Sequence, residues 1–208
     1  LEIGVRKLES FGLANEETLC IGIDPNPQYI RKVRKNEKIF SETSDDFFRK
    51  YHLINELENR PFDLAFIDGM HLFEYAIRDF INIEKNSHPD TVVLIHDCLP
   101  LDSITSARER TTNIWTGDIW KMVFCLRKYR PDLRISLIDT SPSGLAVVTG
   151  LNSSSTVLEE KLAKITGKYL PMEFSFFEEN RSQIDSLICP VEKVLERLGS
   201  FQPQVSQA

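Results

Sequence analysis

The chain reads as an α/β protein: a doubly wound, mostly parallel, seven-stranded sheet that ends in an antiparallel hairpin strand and leads into a helical C-terminal extension. Three observations predict this. Strand-like and helix-like segments alternate five times before the final pair of strands, which is the pattern of a sheet with helices on both faces. In the run Phe62-Asp63-Leu64-Ala65-Phe66-Ile67-Asp68-Gly69, acids bound a short, fully apolar core, as in a parallel strand buried on both faces. Finally, Ser141-Pro142-Ser143-Gly144 separates two strand-like runs closely enough to join them as a hairpin.

Leu1 to Val5 reads as the first strand running into a loop, and Ser10 to Ala14 as the start of a short helix. Thr18 to Ile23 is the second strand, closed by Asp24-Pro25-Asn26-Pro27, whose prolines forbid an immediate helix. Helix is expected again over Gln28 to Lys35. Ile39 to Glu42 is a short third strand, and Ser44-Asp45-Asp46 caps a helix expected from Asp46 to Glu58. Leu64 to Ile67 is the fourth strand. The helix after it, from about Leu72 to Ile83, repeats Phe73, Ala76, Ile77, Phe80 and Ile81 at helical spacing, which marks a core-facing stripe.

Thr91 to Ile95 is the fifth strand, and a long connection spans 98–115. Trp115-Thr116-Gly117-Asp118 opens a helix that ends near Tyr129, before Pro131. Arg134 to Ile138 and Leu145 to Thr149 form the hairpin. Residues 1–150 therefore make the sheet domain and 151–208 a helical extension with a polar tail. Within the extension, helix is expected over Thr156 to Ile165, then an aromatic patch at Phe174, Phe176 and Phe177. A last amphipathic segment carries Ile184, Leu187, Ile188, Val191, Val194, Leu195 and Leu198, interrupted at Pro190. Gln202 to Ala208 reads as a disordered tail.

With 208 residues the chain is long enough to bury a proper core. Its formal charge is −6 and its basic residues are scattered, which argues against nucleic acid and against a polybasic membrane surface. No apolar stretch has the length of a membrane span. Cys20, Cys98, Cys125 and Cys189 are widely spaced without a CxxC pair, so they read as free thiols in a reducing compartment, the cytoplasm. The chain starts without Met on its first strand, so upstream sequence is expected.

In open α/β sheets ligands collect at the carboxyl ends of the strands. The fourth strand ends in Asp68-Gly69-Met70-His71 and the fifth in His96-Asp97, which places acids and histidines side by side. Asp24 ends the second strand about twenty residues after Gly4, where a carboxylate clamps a ribose. Each charge-assisted hydrogen bond it accepts contributes about 1.5–3 kcal/mol. The same acid could instead cap the segment after Pro27. Gly4-Val5-Arg6-Lys7-Leu8 lacks the further glycines of a dinucleotide loop, and no GxxxxGK[ST] loop occurs. A cofactor with a ribose but no phosphate fits better, and that points to S-adenosylmethionine.

Glu2-Ile3-Gly4-Val5, Gly22-Ile23-Asp24-Pro25-Asn26-Pro27, Thr43-Ser44-Asp45-Asp46-Phe47-Phe48, Phe66-Ile67-Asp68-Gly69-Met70-His71 and Ile95-His96-Asp97 follow one another in order. Together they resemble the class I S-adenosylmethionine-dependent methyltransferases, with their Rossmann-like fold, and specifically the small-molecule group with an Ile-Asp-Gly-x-His motif. The resemblance covers residues 1 to 150. It implies that Glu2 and Gly4 surround the methionine moiety, that Asp24 holds the ribose, that Ser44 and Asp45 lie beside the adenine, and that Asp68 lies near the sulfonium. For Ser44-Asp45 a helix N-cap is an equally good reading. Leu8 departs from the pattern, since related sequences carry a second glycine there, and a leucine could crowd the methionine end.

The expected chemistry is methyl transfer to a small-molecule acceptor, most simply to oxygen. His71, His96 and Asp97 are the candidate catalytic residues, and either histidine could be the base because imidazole titrates near neutrality. Asp68 and Asp97 could alternatively hold Mg²⁺, which would lower the acceptor's pKa. Arg108, Glu109, Arg110 and Trp115 belong to the long connection, whose length suggests a substrate lid. Two rival readings remain: a degenerate methyltransferase fold serving as a binding or scaffolding module, and a nicotinamide-dependent oxidoreductase, which the missing glycines disfavour. The apolar face of the last segment could also seat a second copy of the chain in a homodimer.

Overall fold

A computed structural model describes residues 1–199. The polar tail expected over Gln202 to Ala208 lies outside the described residues. The strands are β1 (Glu2–Ile3), β2 (Cys20–Ile23), β3 (Glu37–Phe40), β4 (Leu64–Ile67), β5 (Val92–His96), β6 (Arg134–Ile138) and β7 (Leu145–Thr149). They form one sheet in the order β3-β2-β1-β4-β5-β7-β6, with β7 antiparallel to β5 and β6 and the other pairs parallel. The doubly wound sheet with its closing hairpin is thus borne out. Register brings two of the candidate residues together: Ile67 pairs with Ile95, so Asp68 and His96 leave the sheet side by side.

The helices are α1 (Ser44–Lys50), α2 (Leu53–Glu56), α3 (Phe73–Lys85), α4 (Lys121–Tyr129), α5 (Val157–Glu160), α6 (Leu162–Tyr169), α7 (Phe174–Glu179), α8 (Arg181–Asp185) and α9 (Val191–Gly199). The stripe on α3 is buried as its spacing predicts: Phe73, Ala76, Ile77, Phe80 and Ile81 all enter the core. Each large side chain there contributes roughly 1.5–3 kcal/mol of burial. A charge at Phe80 would break the packing. The extension joins the same core through Leu158, Ile165, Tyr169, Phe177 and Ile184. The ring of Phe177 lies 5.6 Å from Trp120, and that of Phe176 lies 5.2 Å from Phe124.

Several elements differ from expectation. The helix expected over Gln28 to Lys35 does not form. Instead, Arg31 and Arg34 converge on the carboxylate of Glu37 with contacts of 2.7–2.9 Å, and Arg34 adds its backbone N–H. Arg31 first, then Arg34, holds that carboxyl down to about 2, against its burial. The region after β1 contains only a 3₁₀ turn, Phe11–Leu13. The helix expected over Asp46 to Glu58 begins two residues earlier and breaks where Tyr51 and His52 are extended. β3 starts at Glu37 rather than Ile39.

The extension meets the sheet at β6. The N–H of Leu137 donates to the carbonyl of Leu187 (2.9 Å), and the N–H of Cys189 donates to the carbonyl of Leu137 (2.8 Å). Ile184 and Val194 are buried within the chain, whereas Val191 and Leu195, from the face expected to seat a second copy, are exposed. Cys20, Cys98, Cys125 and Cys189 are free thiols. Among the described residues no helix is long and apolar enough to cross a membrane.

Candidate active site

Four expected residues converge at the carboxyl ends of β4 and β5. His96 ends β5, and its Nδ1 lies 3.1 Å from Asp68 Oδ1 and 3.4 Å from Asp97 Oδ1. His71 reaches the same place from the loop after β4: its Nδ1 is 2.6 Å from Asp97 Oδ2 and its Nε2 is 3.6 Å from Asp68 Oδ1. Both His71 (φ 55°) and Asp97 (φ 63°) adopt the left-handed backbone conformation, which is strained for residues with a side chain and is found at functional sites.

Asp97 is anchored from behind. Its backbone N–H donates to Gly144 and the Ser143 hydroxyl donates to its Oδ1, so the hairpin turn between β6 and β7 orients the acid. Trp115 covers His71, with ring centroids 5.3 Å apart and planes within 9°, and its carbonyl lies 3.0 Å from His71 Nδ1. The loop can pass so close only because residue 117 is glycine. A Cβ there would stand 1.7 Å from the His71 carbonyl oxygen. That approach also explains why the helix expected from Trp115 starts only at Lys121.

The electrostatics arise from this packing. Asp68, then Asp97, raises the pKa of His96 to about 10 against burial, so His96 is an imidazolium at neutral pH. Burial opposes protonation of His71, yet the Asp97 carboxylate outweighs it and lifts its pKa above the ordinary value. Burial would raise Asp97, but His71 and His96 hold its carboxyl far below the usual carboxylate range.

The other expected positions surround this cluster. Gly4 approaches the β4 loop so closely that a Cβ would lie 2.2 Å from the Asp68 carbonyl oxygen. Glu2 is buried, accepts from the Ser10 hydroxyl at 2.6 Å, and is pushed up to about 7 by burial. Asp24 accepts the N–H of Arg6 on one oxygen and that of Asn26 on the other, both at 2.8 Å. Each oxygen keeps a lone pair, and no helix follows Pro27 for Asp24 to cap. Leu8 takes the left-handed conformation a glycine would favour (φ 64°), and its side chain is buried with Val5, Phe11 and Cys20.

Ser44 and Asp45 are not brought to the cluster's hydrogen bonds. Thr43 is the N-cap of α1, accepting the Asp46 N–H, while Arg78 binds Asp45 with contacts of 2.9 and 2.7 Å. Sequence reasoning missed Ser143 and Asp79. The latter had a readable signal: an acid within the apolar stripe of α3. It also left unread the anchor of the long connection, in which buried Asp118 accepts the Phe73 N–H and pairs with Lys121 (2.8 Å) and Arg108 (2.7 Å).

The sheet order is that of a Rossmann-like, doubly wound domain, with acids and histidines at the carboxyl ends of β4 and β5. Residues 4–98 match the family model described as a methyltransferase domain. A stretch of 107 residues is 31% identical to the uncharacterized protein y4gI of Sinorhizobium fredii (strain NBRC 101917 / NGR234). The match covers 51% of this chain and 10% of the relative, so the chain spans about a tenth of the relative's length. Among solved structures, cofactor-bound Rv0187 from MTB superposes with a TM-score of 0.52 at 15% identity, over 72% of this chain and 71% of that one. That likeness is one of fold.

Proposed function

We propose that the protein transfers a methyl group from S-adenosylmethionine to an oxygen of a small molecule, with an Asp97–His71 pair as the base. The contact between His71 Nδ1 and Asp97 Oδ2 carries this reading, because it orients an imidazole at a strand's carboxyl end and leaves Nε2 to take a proton. The residues present fit the cofactor. Asp24 keeps two free lone pairs for ribose hydroxyls, and Glu2 and Asp68 offer carboxyl groups to its cationic end. When bound, the cofactor supplies a methyl carbon activated by positive sulfur.

With the cofactor bound, Nε2 of His71 would take the proton that the acceptor hydroxyl loses as it is methylated. Asp97 keeps the imidazole in the tautomer with Nε2 unprotonated and stabilises the imidazolium that forms. His96, already cationic, favours the developing oxyanion. Trp115, stacked on His71, limits access of water. Mg²⁺ fits the site less well. Asp68, Asp97 and His71 lie close enough to share an ion, but Mg²⁺ takes oxygen ligands, whereas the third group is an imidazole. Asp97 is moreover already bound by His71 and Ser143. The proton transfer is therefore assigned to side chains.

Isothermal titration of S-adenosylhomocysteine into the protein and into Asp24→Ala tests the cofactor. Micromolar binding that the variant loses supports the reading, and absence of binding to the unaltered protein sinks it. Turnover with hydroxylated acceptors, set against matched amines, tests oxygen as the site of transfer.

A further inference from the structure

The long connection and the C-terminal extension face each other across a groove. Its larger part has a volume of about 510 Å³ and its smaller part about 360 Å³, and the two meet at Ser103, Phe174 and Glu178. Each part is of a size that holds a small molecule. The groove and the histidine cluster share one wall. Ala107 lines the groove, and its carbonyl accepts the indole N–H of Trp115, whose ring stacks on His71. Asp118 lines it too, and its backbone N–H donates to the His71 carbonyl at 3.2 Å.

The lining selects a charge. Every cation in it is already paired: Arg108 with Glu74 and Asp118, Lys121 with Asp118, and Arg181 with Asp185. The carboxylates of Glu173 and Glu178, in contrast, make no hydrogen bond or ion pair among the described residues. Phe174 lies in the same lining, its ring stacked on Phe177 with centroids 5.5 Å apart. This aromatic pair already accepts one cation, since the guanidinium of Arg181 lies 5.4 Å from the centre of the Phe177 ring. Unbalanced carboxylates beside aromatic faces attract a protonated amine on an apolar body and repel an anion.

We propose that this groove binds the cationic arm of the acceptor, a protonated amine carried on an apolar body, with Glu178 as the residue that selects it. Glu178 holds this position because it lines both parts of the groove. The acceptor is then a hydroxylated amine. Its role as acceptor rests on the methyl-transfer reading, whereas the preference of the groove for a cation does not.

The probes are tyramine, its neutral counterpart 4-ethylphenol and the anion 3-(4-hydroxyphenyl)propionate, titrated into the full chain by NMR. Trp120 lines the groove and Trp115 holds its wall, so the two indole N–H signals report binding. Tyramine should bind about fivefold more tightly than 4-ethylphenol, and the anion should bind weakest. Glu178→Gln should abolish the preference, weakening tyramine about fivefold and leaving 4-ethylphenol unchanged. Glu179→Gln, on the same helix but outside the lining, should alter neither affinity. Equal affinity for the three probes overturns the proposal, as does a tyramine titration that moves neither indole signal. So does tyramine binding that Glu178→Gln leaves intact, or a Glu178→Gln protein that weakens all probes alike, which marks a structural residue. If S-adenosylhomocysteine fails to bind while the tyramine preference stands, the methyl-transfer reading alone is lost and the groove remains a site for amines.

Discussion

Nδ1 of His71 lies 2.6 Å from Oδ2 of Asp97, two residues that both adopt a left-handed backbone and come from the ends of neighbouring strands. Asp97→Asn keeps the shape of this contact but removes the charge that orients and polarises the imidazole. Turnover should fall by about 10²–10⁴-fold with little change in the KM for the acceptor. Steady-state kinetics decide, and a variant within a few-fold of the unaltered protein would remove His71 from the role of base.

The same contact sets the pH profile. His71 acts only when unprotonated, and its pKa lies above the ordinary histidine value. The rate should therefore rise with pH through a midpoint above that value. In Asp97→Asn the residual activity should show its midpoint shifted down, because burial then outweighs what remains of the opposing charge.

His96 contributes to stability in a pH-dependent way. Its pKa rises on folding from 6.5 to about 10, so its contribution is fully present below pH 6.5 and is lost as pH climbs to about 10. Thermal unfolding of His96→Gln should show the largest loss near pH 6 and a small one near pH 10. A loss that does not vary with pH would contradict the imidazolium assignment.

Lys121 and Asp118 are each 2% exposed and pair at 2.8 Å, with Lys121 also donating to the Leu170 carbonyl. Lys121→Ala leaves a buried carboxylate short of one cation and should destabilise the fold by about 3–5 kcal/mol in urea unfolding. Arg108, at 2.7 Å from the same carboxylate, should keep the cost toward the lower end.

Leu8→Gly sets two effects against each other. Glycine relieves the left-handed strain, about 1–3 kcal/mol, while losing the leucine from its cluster costs about 2–5 kcal/mol. The variant should be less stable, with cofactor affinity unchanged if the side chain plays no part in the pocket.

Strands that turn residues bracket were legible to the residue: β4 between Asp63 and Asp68, β6 and β7 on either side of the Ser-Pro-Ser-Gly turn. The acid and histidine at the ends of β4 and β5 could be read because strand ends collect such groups. Illegible were the features set by distant partners. The cations over 31–35 look like a solvated helix face, and only Glu37 shows why they stay irregular. Asp97's anchor comes from Ser143, 46 residues away, and His71's cover from Trp115, 44 residues away. Spacing along the chain does not record such contacts.

The meeting of Leu187 and Cys189 with Leu137 reaches beyond packing. β6 is the last strand of its sheet, and a bare outermost strand offers its peptide groups to any other chain as a template for growth. By laying a short piece of extended chain along it, the extension stoppers that template. A protein shortened before residue 187 would keep its acids and histidines but acquire a sticky border, and its first symptom would be aggregation rather than loss of chemistry.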